Sequence, residues 1–430
     1  MANPPVAATI FAYHVGFGDC FLLRFTYADG SRRHLLIDFG TTSLPDDAGA
    51  DWMRSIARDI RDKCTEGGGA LNIVVATHRH ADHISGFATA ADGKGSGDII
   101  AALKPKLVVQ PWTEAPNAPV SWRGPVIKDK HAFAARRNSL DAMHRTAELA
   151  LQSVYRSRKR LPQALVDEIA FVGEDNLKNL SAIKNLQAMG PNVYVYHGSD
   201  TGMAAELPGI DVTVLGPPTL TQTDAIKKQA STSEAEFWML APKRMSDAGG
   251  LGDAKPLFPG AKTIRGSRLF TEQRWLARRI DQASSELLRS LVRALDNQMN
   301  NTSVSLLFRA GTKSLLFPGD AQLENWQYAL QSKLAPLLDD VDLYKVGHHG
   351  SRNATPKSMW KLFTKRGGKK RPDRLTSVMS TKHGKHGCVK KHTEVPRVSL
   401  VDALKVESNF HSTEDLAAGE LYEEISISLT

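Results

Sequence analysis

At 430 residues, with 41% hydrophobic and 23% charged side chains, the chain has the composition of a globular protein with a sizeable core. Its net charge of +9 favours an anionic partner, phosphate above all, although plain solubility accounts for such a charge equally well. No apolar run approaches the roughly 18 residues of a membrane span. The amino terminus lacks the basic-then-apolar layout of a secretion signal, and three cysteines at unrelated spacings exclude a disulfide framework or a CxxC zinc site. A cytoplasmic protein with no membrane partner is expected.

In chain order, "TIFAYHV", "CFLLRFTY" and "HLLIDFG" predict three strands, with a tight turn at Gly16-Phe17-Gly18-Asp19 and a hairpin turn at "ADGS". A helix over about 50–64 stops at "EGGGA", and "LNIVVAT" and "KLVVQPW" are buried strands by their continuous apolar runs. The next segment changes character: Leu140, Met143, Ala147, Leu151 and Val154 have helical spacing. Strands return with "NVYVYHG" and "DVTVLGPP". A second helical departure follows, carrying Leu276, Ile280, Ala283, Leu287, Leu291 and Leu295. Strands then resume in "SVSLLFRAG", "KSLLFPGD" and "VDLYKVGHHGS", before a helix near 356–365 and a strand "LTSVMST". This order predicts two β-rich halves decorated by helices, with mainly helical insertions at about 113–190 and 222–298.

The chemistry concentrates in "VVATHRHADHISG". His78, His80, Asp82 and His83 follow a buried strand and so sit on a loop at a sheet edge. Imidazoles at i and i+2 of an extended segment point the same way and grip one cation. A turn at Ala81 swings Asp82 and His83 towards a second. Zinc, manganese and iron all suit such ligands. A merely polar loop is the competing account, but so many groups that each need a partner are hard to place otherwise.

This H-x-H-x-D-H pattern resembles the signature of the metallo-β-lactamase superfamily. "HVGFGDCFLLRF", "LLIDFG", "NNTSVSLLFRAGTKSLLFPGDA" and "VDLYKVGHHGS" are similar, in that order, to the soluble domain of ComEC-type DNA-uptake proteins. The resemblance covers roughly half of the chain and neither insertion. It implies a four-layer αββα sandwich, of α/β (α+β) class, with two divalent metal ions, zinc or manganese, at one edge. On that pattern His78 and His80 hold the first metal and Asp82 and His83 the second, while Asp320 in "FPGD" bridges them. The "PGH" histidine of many members is missing after "DVTVLGPP"; His197 is the nearest substitute and reads better as a satisfied core or surface group. For the last ligand His392 fits best, with His386 as its rival.

Two cations about 3.5–4 Å apart acidify a water and stabilise an in-line displacement. Asp82 would orient that water, His349 would protonate the leaving oxygen, and His348 would be its ligand-or-acid neighbour. Ser351 and Lys382 are the expected substrate contacts. Cys20 and Cys388 read as buried fillers. The basic clusters "YRSRKR", "KRGGKKRPDR" and "KHGKHGCVKKH", with Trp112, Trp122 and Trp360 as stacking candidates, favour a nucleic-acid phosphodiester. Solvated loops and core tryptophans are the plainer readings of the same features. A small-molecule hydrolase (of a cyclic nucleotide, lactone or thioester) and a catalytically weakened scaffold remain alternatives. The insertions suggest a surface for a protein partner.

Overall fold

The computed structural model describes residues 4–115, 180–219, 222–223, 300–351, 354–386 and 394–430. The chain divides into two units. Met1–Gly124, Lys178–Gln222 and Met299–Thr430 make the first, which carries everything described below; Pro125–Leu177 and Thr223–Gln298 make the second. Most of both expected insertions, the "YRSRKR" cluster, Trp122, Cys388 and His392 lie outside the described residues.

Strands β1 (Pro5–Tyr13), β2 (Cys20–Tyr27), β3 (Arg32–Phe39), β4 (Leu71–Val75), β5 (Leu107–Pro111) and β6 (Asn192–Val195) belong to one sheet. A second sheet holds β7 (Ile210–Gly216), β8 (Ser305–Ala310), β9 (Lys313–Phe317), β10 (Leu343–Lys345), β11 (Thr376–Met379) and β12 (Asn409–Ser412). The last strand, β13 (Tyr422–Ser428), returns to the first sheet and pairs antiparallel with β1, Ile10 opposite Ile425. Each sheet is mixed. β1, β2 and β3 run antiparallel and β3 to β6 parallel; β7, β8 and β9 run antiparallel and β9 to β12 parallel.

Side-chain alternation builds the layers. Leu23, Leu35, Ile37, Ile73 and Val75 share a core with Leu306, Phe308, Leu315 and Phe317 of the other sheet. Phe21 meets Phe317 edge-on at 5.9 Å across this interior. The opposite faces take helices. Leu22, Leu36, Val74 and Val108 pack against residues of α1 (Trp52–Thr65), α3 (Ser96–Ala102) and α4 (Leu180–Ala188). Leu307, Leu316 and Tyr344 pack against α5 (Leu323–Gln331), α6 (Lys357–Trp360) and α7 (Val398–Glu407). A short helix, α2 (Ala81–Ile84), lies between β4 and α3 in sequence. The result is a mixed α/β sandwich with two sheets face to face and helices outside.

Where the elements depart from expectation, local chemistry explains it. The helix foreseen near 356–365 is a single turn, Lys357–Trp360, which begins only after Pro356 and gives way to a tighter turn where the Leu362 amide donates to the Met359 carbonyl at 2.9 Å. β12 and β13 were not foreseen: "NFHS" is polar and partly exposed, and the acids Glu423 and Glu424 mask the strand pattern of "YEEISIS". Such edge strands are stabilised by their pairing partner rather than by their own apolar face.

Candidate metal centre

Five strand ends converge at one edge. The ends of β3, β4, β9, β10 and β11 and the turns after them bring Asp38, Thr77 to His83, Asp320, His348 and His349, and Ser380 together. The carboxyl ends of parallel strands are the usual place for such a site, since loops leave there without disturbing the sheet.

Asp82, His83, Asp320 and His349 form the centre: one donor atom from each lies within 4.8 Å of the others, and all four residues are buried. His83 Nε2 is 3.0 Å from Asp320 Oδ2, and His349 Nε2 is 3.0 Å from Asp82 Oδ2. On the far side of each ring, Nδ1 meets an acceptor. His83 Nδ1 donates to Asp38 Oδ2 at 2.7 Å, and His349 Nδ1 donates to the Ser380 carbonyl at 3.0 Å. Those acceptors fix a proton on Nδ1 of each ring and turn Nε2 towards the carboxylates, where it carries a proton in the metal-free protein that a bound cation would replace. Asp38 is itself held by the Thr77 amide and hydroxyl, each at 2.7 Å.

The donor set fits a cation. Asp82 Oδ1 and Asp320 Oδ2 are buried with no hydrogen-bond partner. Among the described residues, four buried carboxylates, Asp19, Asp38, Asp82 and Asp320, face one buried ammonium, Lys345, and the rings of His83 and His349. An excess of buried negative charge is costly until positive charge offsets it. The same imbalance governs the titrations. Burial opposes the charged form of His83, but Asp320, Asp82 and Asp38 outweigh it and raise the pKa well above the usual histidine range. Burial likewise opposes the Asp320 carboxylate, and His83 and His348 reverse that, holding it well below the usual range. Burial, then His83 and His80, keep His78 neutral.

The other expected residues take distinct places. His78 Nε2 lies 3.0 Å from His80 Nδ1, and the His78 ring sits 4.2 Å from that of His83, so this pair stands beside the quartet. His349 is fully buried within the quartet, whereas 23% of the His348 side chain is exposed. His348 Nδ1 is 3.0 Å from Ser351 Oγ, and its backbone amide donates to Asp320 Oδ1 at 3.0 Å. Lys382 is tied elsewhere: its ammonium donates to the Leu44 carbonyl at 2.7 Å and pairs with Asp46 at 2.6 Å. His386 packs its ring 4.5 Å from Phe17, and burial with Lys385 lowers its pKa to about 3. His197 Nδ1 donates to the Leu215 carbonyl at 2.8 Å, as expected of a satisfied core histidine.

The basic segment 365–374 is largely consumed by structure. Lys365 pairs with Asp340 and Asp342, Arg366 with Glu407, and Arg371 with Asp373. Arg374 caps the Gly367 and Val406 carbonyls. Trp112 and Trp360 are buried, their indole N–H groups donating to Pro218 and Glu407. Cys20 is a buried free thiol.

Sequence reasoning passed over Asp38, Thr77, Lys345 and Ser380. A signal existed for two of them. Asp38 is a carboxylate closing an apolar strand, and Lys345 is a lone cation inside "VDLYKVG", which stays buried only if paired. Strain marks the same place. Asp38, His348 and His349 adopt φ of 55°, 47° and 51°, a region that non-glycine residues occupy at a cost of about 1–3 kcal/mol. Scanning the sequence against models of known protein families returns no match, and a search of curated proteins returns none either. Among the described residues, no helix is long and apolar enough to cross a membrane.

Proposed function

We propose that the protein is a metal-dependent hydrolase of the metallo-β-lactamase type, acting on a phosphodiester of DNA or RNA. The observation that carries this reading is the buried quartet Asp82, His83, Asp320 and His349, with carboxylate oxygens that lack hydrogen-bond partners. These four would hold one divalent ion, zinc or manganese, and His78 with His80 would contribute to a second. Bound there, such ions acidify a water molecule and offset charge developing on phosphoryl oxygens.

The protein's own groups divide the remaining work. Asp38 and Ser380 keep His83 and His349 in the ligating tautomer. Asp82 Oδ1, without a hydrogen-bond partner, would orient an attacking water. His348, at the rim and oriented by Ser351, delivers a proton to the leaving oxygen, so in this reading the acid is His348 and His349 is a ligand. With Lys382 held by Leu44 and Asp46, its part in substrate binding requires that contact to break. The net charge of +9 supports an anionic substrate. The internal pairing of the 365–374 cluster favours, as a second reading, a small anionic ester over a long nucleic acid.

The test is cleavage of labelled single- and double-stranded DNA and RNA with Mn²⁺, Zn²⁺ or Mg²⁺, using a His80→Ala/Asp82→Ala double variant as control. Metal-dependent cleavage that vanishes in the variant is the expected result. Intact nucleic acid together with hydrolysis of a small phosphodiester selects the second reading. Absence of bound metal and of any hydrolysis defeats both.

A further inference from the structure

Lys345 ends β10 and is only 2% exposed. Its ammonium contacts Asp19 Oδ2 and lies 3.7 Å from Asp320 Oδ1. Asp19 also belongs to a second group of potential donors, Asp19, Asp38 and His83. That group is already committed. His83 Nδ1 donates to Asp38 at 2.7 Å, which leaves only Nε2, turned towards Asp320, to serve as a ligand. Asp19 takes the ammonium. Asp320 is divided in the same way: Oδ1 is engaged by Lys345 and the His348 amide, while Oδ2 faces His83 without a hydrogen-bond partner.

We propose that Lys345 is a positioning residue that serves as the centre's internal cation: it occupies Asp19, turns Asp320 so that Oδ2 alone faces the quartet, and thereby limits how tightly the centre binds metal. The inference rests on the metal-site reading above. Lys345→Met would take the ammonium from Asp19 and leave that buried anion only the His83 and His349 rings, 3.7 and 3.6 Å away, beside three other carboxylates. The metal-free protein then loses stability, and an incoming divalent ion is held more tightly because it supplies the missing charge. Asp19→Asn/Lys345→Met removes both charges and restores the balance. A lysine that only filled space would weaken the free and loaded forms alike.

The experiment uses the full chain, stripped with a chelator and titrated with Mn²⁺ or Zn²⁺ by calorimetry, with thermal unfolding of the free and loaded forms. For Lys345→Met the metal-induced rise in Tm should exceed that of the wild type, and apparent affinity should tighten by about tenfold or more, as expected when a buried opposite charge is freed. The double variant should return both quantities towards wild type. Recovery of folded Lys345→Met only when metal is present supports the proposal in a stronger form. A wild type that binds metal, with Lys345→Met showing the same rise and affinity, overturns it, as does a double variant that fails to restore either quantity. A wild type with no metal-induced rise defeats the metal-site reading itself, and the inference with it.

Discussion

Two adjacent histidines show how little a residue's type says about its part. His348 and His349 share a left-handed turn, yet one reaches the rim and the other is sealed beneath it. His349→Ala should therefore abolish tight metal binding, whereas His348→Ala should keep the metal and lower turnover by about 10²–10⁴-fold, the usual worth of a positioned acid. Elemental analysis beside single-turnover rates separates the two; equal metal loss in both would refute the division. Asp38→Asn leaves the His83 proton without its carboxylate acceptor and should weaken metal affinity by about 10–100-fold, measurable by chelator competition. Away from the centre, His34 is buried on β3 with Nδ1 3.1 Å from the Ala70 carbonyl. Burial lowers its pKa to about 4 from an ordinary 6.5. The unfolded chain therefore binds the proton more readily between those values. The stability held above pH 6.5 falls as pH drops to about 4, by up to about 3 kcal/mol. Urea titrations at pH 7 and pH 5 should show a smaller difference for His34→Gln than for wild type; an equal difference would discount His34.

At the scale of elements, the site depends on backbone segments approaching closely enough to exclude side chains. Gly40 follows β3, and a Cβ there would sit 2.5 Å from the Ala81 carbonyl and the His83 amide. Gly18, in the β1–β2 turn, would meet the Gly40 carbonyl at 2.2 Å and that of Asp82 at 2.7 Å. The turn of the sequence GFGD thus shapes the floor of the centre by backbone contact, with the Asp19 amide donating to the Asp82 carbonyl at 2.8 Å. Gly40→Ala should cost about 1–3 kcal/mol through overpacking and displace α2, weakening metal binding in parallel. Unchanged metal affinity in a destabilised Gly40→Ala protein would mean that α2 is held by other contacts. Arg79, between the two histidines of the first motif, forks onto Glu114 at 2.8 and 2.6 Å and ties this loop to the end of β5.

For the molecule as a whole, the cluster of buried carboxylates links folding to metal. Chelation should lower Tm and added metal restore it, with about 2.7 kcal/mol regained at a hundredfold excess over Kd. A melting curve indifferent to both would exclude a resident ion at this edge. The positive charge acts over a longer range: binding to a polyanion should weaken steeply with salt if many phosphates are neutralised, and shallowly if the arginines of 365–374 stay in their internal pairs. That slope distinguishes an extended nucleic acid from a small ester.

Much of this was legible in one dimension because it depends on neighbours in sequence. The apolar runs of β2, β4, β8 and β9 and the spacing of His78, His80, Asp82 and His83 are local patterns, and the strands form where those patterns lie. The polar edge strands β12 and β13 were not legible, since pairing with distant partners rather than local hydrophobicity holds them. The partition of the site was equally hidden. That His83 turns one nitrogen to Asp38 and the other to Asp320, that Lys345 takes Asp19, and that the arginines of the basic segment bind their own protein are outcomes of folding. Composition determined which donors the chain owns. Only the convergence of five strand ends, tens to hundreds of residues apart, decided which of them face one another in a medium where an unpaired charge is costly.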